Sequence, residues 1–204
     1  MNIMRQGLAM TWGLLFYLFY GRKKIFFIFL LIPMMIHSSS VILIILPFLR
    51  RLSFNKMVYV IVSSVTFILG SFNYLSGLIK SVVLGIDSFS MYSDEYYTGS
   101  SFSLTRLLLN VFFLYLIYVA KEVNEYMKIV FVGICILNIF SFNPYIARMA
   151  QYLLLFQIIL YPSIDILCKK RQIKRVVWTY SFIVFAFMLG MNVAEVLPYY
   201  FSLE

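Results

Sequence analysis

Four ionisable side chains stand inside or at the edge of apolar segments: Arg5, His37, Arg106 and Arg148. A charge in such a place is costly enough to mark a working site by default. Three guanidiniums on separate segments suit an anion, because each presents paired N–H donors that match phosphate oxygens and stays charged. Arg148 follows Asn143-Pro144-Tyr145 about one turn into its segment. Tyr145, Arg148 and Tyr152 stand at i, i+3 and i+7, so a helix places them on one face. His37 heads the run Ser38-Ser39-Ser40 and can pair with phosphate or move a proton near neutral pH. Plainer roles stay open beside these. Arg5 and Arg106 also suit interfacial anchors, and His37 suits a cap within its serine turn.

The elements that must hold these groups are helices in lipid. Of 204 residues, 63% are apolar and only 12% are charged, about half the usual charged share. So few polar residues cannot cover a soluble domain of this size. Composition therefore excludes a soluble enzyme, a disordered chain and a nucleic-acid-binding module. The net charge of +9 comes from 17 Lys and Arg against 8 Asp and Glu. In short loops such charges act as topology signals, which makes the run from Lys169 to Arg175 cytoplasmic and attractive to anionic lipid. Cys135 and Cys168 are expected at different depths, so no disulfide is expected. Two cysteines and one histidine make no structural zinc site. There is no Walker loop, no His-Glu-x-x-His helix, no Gly-x-Ser-x-Gly elbow and no Asp-x-Asp pair. Neither metal nor cofactor is expected.

A spanning helix needs about 20 mostly apolar residues. Candidate spans are about 3–20, 57–72, 104–120, 128–142, 145–162 and 176–193. The predicted fold is thus all-α: a polytopic membrane bundle of about six spanning helices, in a single integral membrane domain over 1–204. The stretch 25–49 decides the topology. As one span it would put Arg22-Lys23-Lys24 and Arg50-Arg51-Lys56 on opposite sides, against the positive-inside rule. As two half-helices folding back near His37, each about 18 Å long, it becomes a re-entrant hairpin. Both basic clusters then stay cytoplasmic, and most of the 17 Lys and Arg sort to that side. Arg5, Arg106, Arg148 and His37 fall toward the outer face. The stretch 73–103 becomes an external loop. Its tyrosines, serines and the pair Asp94-Glu95 suit a hydroxyl-rich ligand such as a sugar, and equally suit an ordinary solvated loop.

Four stretches in order carry a family resemblance. Arg5-Gln6-Gly7-Leu8-Ala9 opens the first span. Phe29-Leu30-Leu31 leads through Met35-Ile36 to His37-Ser38-Ser39 and an apolar half ending at Arg50. Arg148 stands four residues before Tyr152 in a segment ending at Tyr161-Pro162. The end reads Leu197-Pro198-Tyr199-Tyr200-Phe201. The set resembles the EpsG-like branch of Wzy-type polysaccharide polymerases of O-antigen and capsule clusters. The resemblance implies a glycosyltransferase in the bacterial cytoplasmic membrane. At the outer face it would join undecaprenyl-pyrophosphate-linked oligosaccharide repeat units, with the donor pyrophosphate supplying the bond energy. It also implies a chain-length regulator and a flippase of the same pathway as partners. The arginines would meet the charge developing on the leaving group, with Arg148 foremost. Arg5, Gln6, Arg106, Tyr145 and Tyr152 would bind substrate, and His37 would orient or deprotonate the acceptor hydroxyl. In the family the Arg-Gln motif comes after several further spans, so the chain is expected to match the C-terminal portion of a longer polymerase. A transporter for lipid-linked oligosaccharide and a non-catalytic membrane scaffold are the competing functions.

Overall fold

A computed structural model describes residues 2–20, 23–71, 103–141, 144–168 and 171–190. The predicted external loop lies outside the described residues except for Ser103, as does the motif at 197–201. The side chain of Tyr145 is likewise outside them.

The described residues are mainly helical, with short turns and connections between the helices and no strand among them. They form α1 (Asn2–Tyr20), α2 (Phe26–Phe29), α3 (Leu31–Ile36), a 3₁₀ helix (Ser38–Ile45), α4 (Leu46–Leu49), α5 (Lys56–Ser71), α6 (Leu104–Val119), α7 (Glu125–Ile139), α8 (Pro144–Leu154), α9 (Gln157–Cys168) and α10 (Arg171–Gly190). The all-α expectation holds. The expectation of about six spanning helices does not appear in that form. Among the described residues, no helix is long and apolar enough to cross a membrane. The cause is twofold. Helices α5 and α6 have 16 residues each, a rise of about 24 Å. The longer α1 and α10 spend their first turns on polar side chains such as Arg5, Gln6, Lys174 and Arg175.

The stretch 25–49 is broken at the predicted place. His37 has an extended backbone (φ −153°, ψ 123°) between α3 and the 3₁₀ helix. The second arm is mainly 3₁₀ and not α. Val41, Ile42, Ile44 and Ile45 crowd an α-helical turn, and Pro47 has no N–H to return to the chain before it. The tighter 3₁₀ winding rises about 2 Å per residue, so this arm reaches further than an α-helix of equal length. The two arms return to one place, because Lys23 and Lys24 line the same cleft as Arg50 and Arg51.

The predicted helix over 128–142 starts earlier, at Glu125. Asn124 Oδ1 accepts from the Met127 N–H at 2.8 Å and caps it. The predicted single helix over 145–162 is two helices, with a turn at Leu155-Phe156. Phe156 is fully buried there and meets Tyr17 edge-on at 5.1 Å. Helix α7 is central. It packs on α5, α6, α8 and α4, while the 3₁₀ arm lies against both α1 and α8. The core between these helices is aromatic-rich, and Tyr59 meets Phe131 edge-on at 4.9 Å. At one flank Phe112 of α6 stacks flat on Tyr180 of α10 at 3.7 Å.

Candidate functional site

Two ends of this bundle differ in chemistry. At one end lie Lys23, Lys24, Arg50 and Arg51. Lys128 Nζ donates to the Arg50 carbonyl at 3.1 Å, and Lys56 Nζ donates to the Ala120 carbonyl. Tyr17 donates its hydroxyl to Glu125 Oε1 at 3.1 Å, which fixes the far end of α1 here as well. The other ends of α1, α5, α6 and α7 carry the polar groups that follow.

The first grouping joins α1 to α8. Gln6 is buried, and its Nε2 donates to Gln151 Oε1 at 3.0 Å. Gln6 follows Arg5, and Gln151 stands one helical turn beyond Arg148, on the same face. The bond therefore holds the Arg-Gln opening of α1 beside the helix that carries Arg148. Arg5 is exposed and Arg148 half-buried. The 3₁₀ arm that starts at His37 packs on both helices. Tyr152, on the same helix as Arg148, is buried, and among the described residues its hydroxyl has no hydrogen-bond partner.

His37 sits at the hairpin turn, half-buried. Its Nδ1 accepts from the Ser39 N–H at 3.2 Å, and Ser40 Oγ donates back to the His37 carbonyl at 2.8 Å. The imidazole thus caps the 3₁₀ helix. With Nδ1 committed as an acceptor, the neutral ring carries its proton on Nε2.

The second grouping is a buried knot across α5, α6 and α7. Asn110 and Asn138 exchange amide hydrogen bonds, each Nδ2 donating to the other's Oδ1 at 2.9 Å. Ser63 Oγ donates to Asn110 Oδ1 at 3.0 Å, and Asn138 Nδ2 also donates to Thr66 Oγ1 at 3.3 Å. Asn110 Nδ2 reaches the Arg106 carbonyl at 2.8 Å. Arg106 itself is buried. Its Nη1 donates to Ser141 Oγ at 2.5 Å and lies 3.5 Å from the Asn138 carbonyl. A cation against the last carbonyls of α7 complements the helix dipole. Burying so many polar groups is tolerable only when they satisfy one another, as here.

The predicted residues thus divide. The Gln6–Gln151 bond sets the segment of α1 that carries Arg5 against the helix that carries Arg148 and Tyr152, and the 3₁₀ arm that follows His37 packs on both helices. Arg106 belongs to the α5–α6–α7 knot, where it meets Ser141 and the Asn138 carbonyl. Sequence reasoning missed Gln151, Asn110 and Asn138. The signal was present: three carboxamides inside apolar helices carry the same cost that singled out the arginines.

The described residues form an all-helical bundle, and comparison with known proteins defines the family. The model of the EpsG family matches residues 1–202. The chain belongs to the EpsG family, and that membership suggests a membrane protein of polysaccharide biosynthesis. No curated protein and no solved structure matches the chain.

Proposed function

We propose that this chain is a Wzy-type polysaccharide polymerase. It would sit in the bacterial cytoplasmic membrane and join undecaprenyl-pyrophosphate-linked oligosaccharide repeat units at the outer face. The observation that carries this reading is the Gln6–Gln151 bond. It ties the Arg5-Gln6 segment of α1 to the helix that carries Arg148, and the 3₁₀ arm that follows His37 packs on both helices.

Apolar outer faces support the membrane setting. Met4, Leu8, Trp12, Leu15 and Phe19 form an exposed stripe along α1, and Met57, Ile61, Val65 and Ile68 do so along α5. Scattered exposed apolar residues are ordinary, but continuous stripes on several helices mark contact with lipid or protein. With no helix long and apolar enough to cross alone, crossing would recruit flanking residues and thin the bilayer locally. Helices α8 and α9 would cross as one broken pair, about 37 Å over residues 144–168.

In the proposed reaction a hydroxyl of the acceptor repeat unit attacks the anomeric carbon of the donor glycan. The bond from that carbon to the pyrophosphate oxygen breaks, and undecaprenyl pyrophosphate leaves with the electron pair. Arg148 and Arg5 supply positive charge where negative charge develops. His37 offers Nε2–H as a donor to a phosphate or sugar oxygen. Its bond from Ser39 favours this role over that of general base. The Tyr152 hydroxyl offers a further donor or acceptor. The acceptor hydroxyl's proton then passes to the leaving phosphate or to water. A chain-length regulator and a flippase remain the expected partners.

The test is Arg148→Ala and Arg148→Lys in cells that make the polymer, with insertion measured by membrane fractionation and glycan length by gel. Both variants should insert normally. Alanine should leave single repeat units, and lysine should restore only a fraction of polymer because it lacks the paired donors. Normal polymer length with alanine would remove Arg148 from the site.

A further inference from the structure

Arg106 stands in α6, yet its side chain reaches the connection that leads into the helix of Arg148. Its Nη1 donates to Ser141 Oγ at 2.5 Å and lies 3.5 Å from the Asn138 carbonyl. Ser141 Oγ donates to that same carbonyl at 3.4 Å. Ser141 lies past the end of α7 and shortly before Pro144, the first residue of α8. A second anchor follows on α8 itself. A Cβ at Gly133 of α7 would lie 3.0 Å from Leu153 Cβ and 3.3 Å from the Ala150 carbonyl oxygen, so α8 lies directly against α7 there. Arg148 stands between the two anchors, after Ser141 and before Ala150.

An apolar side chain at position 106 would fill this space without the cost of desolvating a guanidinium. Apolar packing has no direction, however, and a hydrogen bond does. Arg106 is itself held in place. Its carbonyl accepts from Asn110 Nδ2 at 2.8 Å, and Asn110 is bonded to Asn138 and Ser63. A line of directed bonds thus runs from α5 and α6 to the point where the chain turns into α8. Arg148 lies about one helical turn beyond Pro144, so a shift at the start of α8 passes to it almost undiminished.

We propose that Arg106 is a positioning residue: together with Ser141 it fixes the start of α8, and so places the Arg148 guanidinium for the leaving pyrophosphate. This role rests on Arg148 acting in the proposed reaction.

The test uses the full chain with Ser141→Ala, Ser141→Thr, Arg106→Gln and Leu116→Ala. Leu116 is a buried core residue of α6, so its truncation lowers stability without removing an Arg106 bond. Hydrogen exchange on the chain purified in neutral detergent needs no substrate. Ser141→Ala and Arg106→Gln should speed exchange about tenfold in peptides covering residues 148–154, and leave α3 at its original rate. Elongation is then followed in membranes supplied with lipid-linked repeat units extracted from cells that lack this chain. Ser141→Ala and Arg106→Gln should lower kcat about tenfold and leave KM within about twofold. Ser141→Thr keeps the acceptor and should restore most of the rate, and Leu116→Ala should keep kcat within about twofold. Unchanged exchange in α8 overturns the proposal. So does a raised KM at unchanged kcat, which makes Arg106 a substrate contact. Leu116→Ala losing as much rate as Ser141→Ala overturns it too, because the effect is then one of stability alone. Should Arg106→Gln fail to insert, Ser141→Ala and its threonine rescue decide the matter. Normal elongation by Arg148→Ala, with α8 still loosened by Ser141→Ala, overturns the polymerase reading and leaves the anchoring of α8 standing.

Discussion

At Gly70 the backbone of α5 lies directly against that of α7, and Gly70→Ala tests the packing that holds the buried knot. A Cβ at Gly70 would lie 1.8 Å from the Asn138 carbonyl oxygen and 2.7 Å from its carbon. Both atoms are backbone, so no side chain can swing aside. Ordinary contact would require the helices to part by about 1.5 Å. The Asn138–Thr66 bond, already 3.3 Å, cannot survive that displacement, and the Ser63–Asn110 bond at 3.0 Å would stretch with it. Overpacking costs about 1–3 kcal/mol, and each buried bond lost adds about 1 kcal/mol. The sum is about 3–5 kcal/mol, or roughly 10 °C in unfolding midpoint for a chain of this size. Gly7→Ala is the matched control, because nothing lies within 4 Å of the added Cβ. In a helix that change should be neutral or stabilising by up to about 1 kcal/mol. Both variants would be melted in the same detergent, with intrinsic fluorescence as the readout. If Gly70→Ala and Gly7→Ala melt within about 1 °C of each other, the close approach of α5 to α7 is wrong.

Asn110→Leu and Asn138→Leu should each destabilise by about 2–4 kcal/mol by orphaning the partner amide. The double variant should cost at least about 1 kcal/mol less than their sum, measured as a double-mutant cycle in denaturant. Gln6→Ala and Gln151→Ala should show a coupling of about 1 kcal/mol in the same cycle, and should shorten the glycan, because either loosens α1 from the Arg148 helix; independent effects would dissolve the pairing. His37→Asn keeps an acceptor for the Ser39 N–H and should retain fold stability, whereas His37→Ala should lose about 1 kcal/mol. If His37 acts on substrate, Asn should impair elongation despite normal melting; normal elongation confines His37 to capping. Tyr152→Phe should leave the melting midpoint within about 1 °C, since its hydroxyl has no partner among the described residues. A loss of polymer with that variant would place the hydroxyl on substrate.

The helical class, the break at His37 and the convergence of the flanking basic residues were legible because each follows from local chemistry. Apolar run length, a histidine heading three serines and the distribution of Lys and Arg are all one-dimensional signals. The pairings were not legible, for a physical reason. When a helix is apolar on every side, the 3.6-residue period does not say which face meets which neighbour. Asn110 and Asn138 pair because α6 and α7 are rotated to face each other, and Gln6 finds Gln151 across 145 residues of sequence. The helix start at Glu125 was hidden for another reason. Asn124-Glu125 with Lys128 looks like a charged loop when charge is weighed before capping geometry, yet Asn124 is an N-cap.

At the basic end, residues expected to signal topology also hold the structure together. Lys56 and Lys128 have structural partners of their own. Each donates to a main-chain carbonyl at the end of another helix, Ala120 after α6 and Arg50 after α4. Those carbonyls have no partner within their own helices, and a cation there complements the helix dipole. The ammonium groups therefore stitch α5 to α6 and α7 to the hairpin. Replacing either by Arg would keep the topology signal but exchange a compact rotatable donor for a planar fork. A Lys128→Arg protein should thus insert with unchanged orientation yet melt lower, whereas a lysine serving topology alone would show no change in melting.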